Sequence, residues 1–258
     1  GDGWDYQAFD GTVVTVDGEE RLYGRGAIDD KGPAVANIFA MKDLLDSGRP
    51  LKKRIRIIFG QSEENGDWDD IDAYKKNEEL PVYGYTPDGE FPAIYGENGI
   101  TLFKVSYPLA ESGLTFIKAG SAPNAVPDYC CGEDREGIFF EAHGKAAHGC
   151  APWLGESALS KAMELLDVPY AKMFNNLIGW DLKGIKLGIA YEDEQSGALS
   201  LNAGKVSVEE ENICMYLDIR YPVTTEYDKL VDTIKMHFAE YGASTELIHH
   251  MEPVYMDK

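Results

Sequence analysis

Four carboxylates in the first third of this sequence stand where they could do chemistry. Asp29 lies in GRGAIDDKGP, residues 24–33, with Asp30 beside it; Glu63 and Glu64 are adjacent in SEENG; Asp88 lies in PDGEFP. Carboxylates are hard oxygen donors, and several gathered together repel one another unless a cation neutralises them. A divalent metal site is the economical reason to collect them. In the adjacent pair Glu63 and Glu64, neighbouring side chains diverge, so one can hold metal while the other carries a proton, a division that suits hydrolysis. Two acids near a helix N-terminus are also favoured by capping and by the helix dipole, so both readings of Asp29 and Asp30 stand on local sequence alone. Asp69, Asp70 and Asp72 read as solvated surface acid, because the stretch lacks the glycine an EF-hand loop needs at its sixth position. GRGAID is no dinucleotide fingerprint either: its third glycine is missing and the loop is acidic where pyrophosphate would sit.

The elements that must position these groups can be read from periodicity. Pro33 suits a first helical turn, and Ala34, Val35, Ile38, Met41 and Leu45 recur at helical spacing, which predicts a helix over 33–47 closed by Gly48. RIRIIFG, residues 54–60, and the run 82–86 read as strands of an α/β unit. The four carboxylates then fall at strand ends and a helix start, the edge where open α/β sheets bind ligands. Beyond about residue 100 the pattern changes. TLFKVSY, LTFIK, GIFFEAHG, LSLNAGKVSV and ICMYLDIRY predict a mostly antiparallel sheet, interrupted by one helix over 156–167. A second helix is predicted from a capping box at Thr225 and Asp228, carrying Tyr227, Leu230, Val231, Ile234 and Phe238 on one face up to Gly242. This second region reads as an α+β domain.

Composition excludes some partners. Among 258 residues, 45 are acidic and 24 basic, a formal charge of -21 that repels phosphate backbones and argues against nucleic acid, while divalent cations would be welcome. No apolar run approaches a membrane span and the first residues lack the parts of a signal peptide, so a cytoplasmic protein with no membrane partner is expected. Cys130, Cys131, Cys150 and Cys214 have no metal-knuckle spacing and read as reduced, structural thiols.

Six motifs in order, LYGRGAIDDKGP, SEENG, PDGEFP, NAVPD, GKAAHG and DIRYP, resemble the PepV-like dinuclear-zinc dipeptidases, within the larger family of aminoacylases, carnosinases and succinyl-diaminopimelate desuccinylases. The resemblance implies an α/β catalytic portion of zinc-peptidase type over 1–104, an inserted α+β lid of mostly antiparallel sheet plus two helices over 105–250, and a return to the catalytic portion at 251–258. It also implies two divalent metal ions, zinc foremost. Asp29 bridges them, Glu64 and Asp88 bind one each, and Glu63 is the general base for a metal-bridging hydroxide. The peptide bond after the bridging aspartate is cis in such relatives. Asn124 and His148 stabilise the transition state, Arg220 receives the terminal carboxylate of a small peptide, and Gly144 and Gly149 let the backbone turn around His148. His143, His237, His249 and His250 read as structural.

The zinc-binding histidines of that family belong to segments that would lie before Gly1 and after Lys258. The expectation is therefore a middle portion of such an enzyme, inactive alone and holding divalent ions weakly. Two alternatives accompany it. One is a deacylase or desuccinylase of N-acyl amino acids; the other is a metal-free module that pairs as a homodimer through an exposed sheet edge of the lid.

Overall fold

Asp17 and Gly18 are a residue pair that folds a chain back on itself, because both tolerate positive φ. Here they adopt φ of 53° and 85° and join two antiparallel strands, β1 (Thr12–Val16) and β2 (Glu19–Tyr23). A computed structural model describes residues 4–61, 63, 68–89 and 93–256. The chain divides into two compact units, Gly1–Ile94 and Tyr95–Lys258. It is a mixed α/β protein with a mostly antiparallel sheet and, among the described residues, five α-helices.

In the first unit α1 (Lys31–Asp46) follows the turn at 24–30. Its C-terminal end matches the expectation: Gly48 takes φ of 65° and donates its N–H to Leu45 O at 3.2 Å. The apolar stripe, however, is not buried; Val35, Ile38 and Leu45 are 48%, 46% and 62% exposed. RIRIIFG at 54–60 forms no ladder with any described strand. A strand exists only through partner backbone, and the segment is held instead by Arg54 with Glu79 and by Arg56 with Glu78. The expected strand over 82–86 is likewise unpaired. A second correction concerns Asp69, Asp70 and Asp72, which do not lie in a loop. They form the first turn of α2 (Asp69–Asn77), whose last turn holds Lys75 and Lys76, as the dipole favours.

The second unit begins with the two-residue strand β3 (Gly96–Glu97). Then come β4 (Gly99–Pro108), β5 (Leu114–Ala119), β6 (Tyr129–Asp134), β7 (Phe139–His143), α3 (Ala158–Leu165), α4 (Pro169–Leu177), β8 (Glu192–Asp193), β9 (Gly197–Ala198), β10 (Ser200–Glu209), β11 (Asn212–Tyr221), α5 (Tyr227–Ala239), β12 (Ser244–Met251) and β13 (Val254–Tyr255). Seven strands pair antiparallel in the order β12-β4-β11-β10-β5-β6-β7. Strict alternation along β4 buries Phe103, Val105 and Tyr107. Leu159 and Met163 of α3, Tyr170 and Phe174 of α4, and Leu230, Ile234 and Phe238 of α5 join them in one core. Helical burial thus arrives through three helices where two were expected; α4 begins at Pro169. The capping box at Thr225 and Asp228 does not form. Helix α5 starts at Tyr227 with Glu226 at the cap position, and Thr225 Oγ1 is buried without a partner. No helix of the described residues is long and apolar enough to cross a membrane.

Candidate functional site

In the first unit the turn before α1 is drawn tight. Ala27 N–H donates to Gly24 O at 3.1 Å and Lys31 N–H to Gly26 O at 2.9 Å. A Cβ at Gly32 would lie 2.7 Å from Ala27 O, so the turn can sit on the helix only if that residue is glycine. The Asp29–Asp30 peptide bond is cis, as the resemblance implies. Asp29 and Asp88 are exposed, and Asp30 is half-buried with its Oδ1 enclosed and unpartnered. Loss of solvent around Asp88 pushes its carboxyl above the usual carboxylate range, and the charges of Asp29 and Asp30 push it further. Glu63 is exposed. The segment leading to it is anchored by Asp70, which accepts the N–H of Gln61, so Asp70 is half-buried and structural rather than simply solvated. Glu64, the partner expected for Asp29 and Asp88, lies outside the described residues. Among the described residues no three His, Cys, Asp or Glu side chains are close enough to hold a metal ion. Asp29, Asp30 and Asp88 offer carboxylate oxygens, with Asp30 Oδ1 enclosed and unpartnered, and oxygen donors of this type suit a hard divalent cation.

In the second unit two distant motifs are zipped together. Val126 N–H donates to Ala147 O at 2.8 Å and Gly149 N–H to Asn124 O at 2.7 Å, with Ala125 and His148 forming an antiparallel bridge. Asn124 of NAVPD and His148 of GKAAHG are thereby placed side by side. The imidazole is oriented by its own turn: Cys150 N–H donates to His148 Nδ1 at 3.2 Å, and Cys150 Sγ lies 3.0 Å from the same nitrogen. An N–H aimed at Nδ1 needs a lone pair there, so in the neutral ring the proton resides on Nε2, which becomes a donor. The ring is exposed. Gly144 and Gly149 serve by close approach rather than by a tight turn: a Cβ would lie 2.0 Å from Glu156 O at Gly144 and 2.5 Å from Asp218 Oδ2 at Gly149.

Arg220 on β11 does not stand alone. Its Nη2 donates to Asp218 Oδ2 at 3.1 Å and its Nε lies 3.0 Å from Asp218 Oδ1. Asp218 is almost wholly buried. Burial raises its carboxyl above the ordinary range, against the pull of Arg220, His148 and His249. The cross-strand neighbour of Asp218 is Asn202 on β10, also buried. Asp218 and Asn202 were missed by sequence reasoning, while Cys150 and His249 were read as structural. The available signal was a polar residue at an inward position of an otherwise apolar strand, in LSLNAG and YLDIRY. His250 is structural: its ring stacks on Tyr227 at 3.7 Å and Nε2 meets Tyr221 Oη at 2.6 Å. The four cysteines are free thiols, and burial pushes Cys130 up to about 12.

Comparison with known proteins adds the following. The profile of peptidase family M20/M25/M40 matches residues 1–255. A relative from Staphylococcus aureus strain MRSA252, "Putative dipeptidase SAR1836", is 33% identical over the whole of this chain and 64% of its own length. A second, from the bovine strain RF122 / ET3-1, is 32% identical with the same coverage. The chain thus spans 64% of the length of these curated relatives. Among solved structures, an aminoacylhistidine dipeptidase from Vibrio alginolyticus overlaps 64% of this chain and 42% of its own, at 12% identity and a TM-score of 0.30, too loose a likeness to bear on the fold.

Proposed function

The chain belongs to peptidase family M20/M25/M40, and from that premise we propose that it forms part of a metal-dependent dipeptidase whose lid, residues 105–250, lies within the unit Tyr95–Lys258. The observation that carries this reading is the backbone zipper from Asn124 to Val126 against Ala147 to Gly149, which sets Asn124 next to His148 in the unit that also holds Arg220. Residues of three motifs far apart in sequence thereby come into one unit.

Asp29, Glu64 and Asp88 would hold two divalent ions, zinc foremost. When bound, such ions lower the pKa of coordinated water and polarise a scissile carbonyl. Glu63 accepts the proton of the attacking water and returns it to the leaving amine. His148, donating from Nε2, and the Asn124 amide supply hydrogen bonds to the oxygen on which negative charge develops. Arg220 offers the N–H groups outside its pair with Asp218 to the free carboxylate of a small peptide. The partner is thus a small peptide.

The test is an assay of the purified enzyme, with zinc added, on a panel of dipeptides and matching N-acyl amino acids, with and without a chelator. Hydrolysis of dipeptides that the chelator abolishes is expected. Preference for the N-acyl series would replace the substrate class by the deacylase alternative, and chelator-insensitive turnover would overturn the metal-dependent reading.

A further inference from the structure

We propose that the buried cross-strand pair Asn202 and Asp218 is a positioning platform that fixes Asn124, His148 and Arg220, an inference that rests on the dipeptidase reading for its kinetic consequences. Asn202 is 4% exposed and Asp218 3%, on adjacent strands and in register. Burying an amide and a carboxylate side by side is costly unless each is satisfied, so what satisfies them is informative.

Asn202 Nδ2 donates to Pro123 O at 3.1 Å and to Ala125 O at 3.0 Å, the two carbonyls that flank Asn124. The loop can come that close because of the adjoining glycine. A Cβ at Gly204 would lie 1.9 Å from Pro123 O, and β10 shifts register between Ala203 and Lys205 at that point. Asn202 therefore clamps the backbone on either side of Asn124 and sets where its amide starts.

Asp218 acts in two directions. Its Oδ2 occupies the space beside Gly149 that any Cβ would need, so the carboxylate sets the height of the backbone directly after His148. The same oxygen accepts from Arg220 Nη2, which fixes one edge of the guanidinium. The titratable groups facing Asp218 are Arg220 on its own strand, His148 on the adjoining turn and His249 on β12. Because Gly149 N–H donates to Asn124 O, the two arms of the platform meet in the strip that holds Asn124 beside His148.

A platform of this kind acts through other residues, so it must be tested by readouts that lost stability alone would not move. Two variants are compared: Asn202→Ala, which removes both donors, and Asp218→Asn, which keeps shape but removes charge. In the 258-residue chain, side-chain nitrogen shifts of His148 measured by NMR should report the Nε2–H form in the parent and a mixture of tautomers in both variants. In the enzyme, with alanylglycine as probe, Asn202→Ala should lower kcat on the order of ten- to a hundredfold with KM little changed. Asp218→Asn should in addition raise KM several-fold through the loosened Arg220. Variants that melt at lower temperature yet leave the His148 shifts, kcat and KM unchanged would overturn the platform. Full turnover in His148→Ala would instead take His148 out of the transition-state role, and no turnover of alanylglycine by the parent enzyme would sink the dipeptidase reading, while the nitrogen shifts would still decide the platform.

Discussion

At the scale of single residues the division between Glu63 and Glu64 is the sharpest claim. Glu63→Gln should lower kcat about a hundredfold or more while metal content measured by elemental analysis stays near normal, because a proton acceptor is lost and a ligand is not. If the substitution empties the site as Asp29→Ala should, the two roles are reversed. The second unit yields a complementary expectation. His148→Ala and Asn124→Ala should act mainly on kcat, since a contact to a developing charge is strongest in the transition state, whereas Arg220→Ala should act mainly on KM. Steady-state kinetics on one dipeptide separate the two classes, and unchanged kcat in both of the first two variants would return His148 and Asn124 to structural duty.

At the scale of elements, an ion pair reaches across a strand. Lys104 on β4 and Glu209 on β10 meet at 2.6 Å over β11, whose Tyr216 also donates to Glu209 at 2.9 Å. The lysine, then burial working against it, and then Tyr216 and Ser207 set the Glu209 carboxyl, which falls from 4.5 to about 2. A carboxyl lowered by folding stabilises the native state above its unfolded value and loses that contribution as pH falls toward its folded value. The difference in melting temperature between the parent and Glu209→Gln should therefore be full near neutrality and shrink as pH falls from 4.5 to about 2. A gap that persists undiminished at the acid end would assign the effect to packing instead. Lys104 is raised, so its share is present below its ordinary value and is lost only at strongly alkaline pH.

The elements also mark how far sequence carries. TLFKVSY was legible as a strand because it alternates, ICMYLDIRY because it is a short, largely apolar run flanked by partner strands on both sides, and Leu230, Ile234 and Phe238 because helical period and burial agree. RIRIIFG has the same composition without a described partner, and composition does not make a ladder. Strands β6 and β12 and helix α4 were passed over: YCCGED and STELIHHM carry polar residues at inward and outward positions alike, and α4 is too short for its period to stand out. Among site residues, Asp29, Asn124, His148 and Arg220 could be named from motifs. Asn202 and Asp218 could not, since nothing local says which loop a buried amide will hold.

At the scale of the whole molecule, stability is concentrated in the second unit, where 32 buried residues among those described form one cluster. Phe174 is fully enclosed there, and Phe174→Ala should cost about 3–5 kcal/mol, visible by calorimetry as a large fall in the main transition. An equally large effect from Phe39→Ala on α1, which is 60% exposed, would contradict this distribution.

The turn at residues 148–150 has one practical consequence. Cys150 is the exposed thiol of the four, with Cys130 and Cys214 buried and Cys131 half-buried, so a limiting amount of maleimide dye should attach first at Cys150. The label would stand two residues from His148, on the sulfur that touches its ring. An environment-sensitive fluorophore there would report arrival of a peptide without any turnover. Peptide mapping of the labelled chain fixes the site of attachment, and a spectrum that shifts on titration with alanylglycine, but not with alanine amide, would locate the response at the carboxylate end of the ligand.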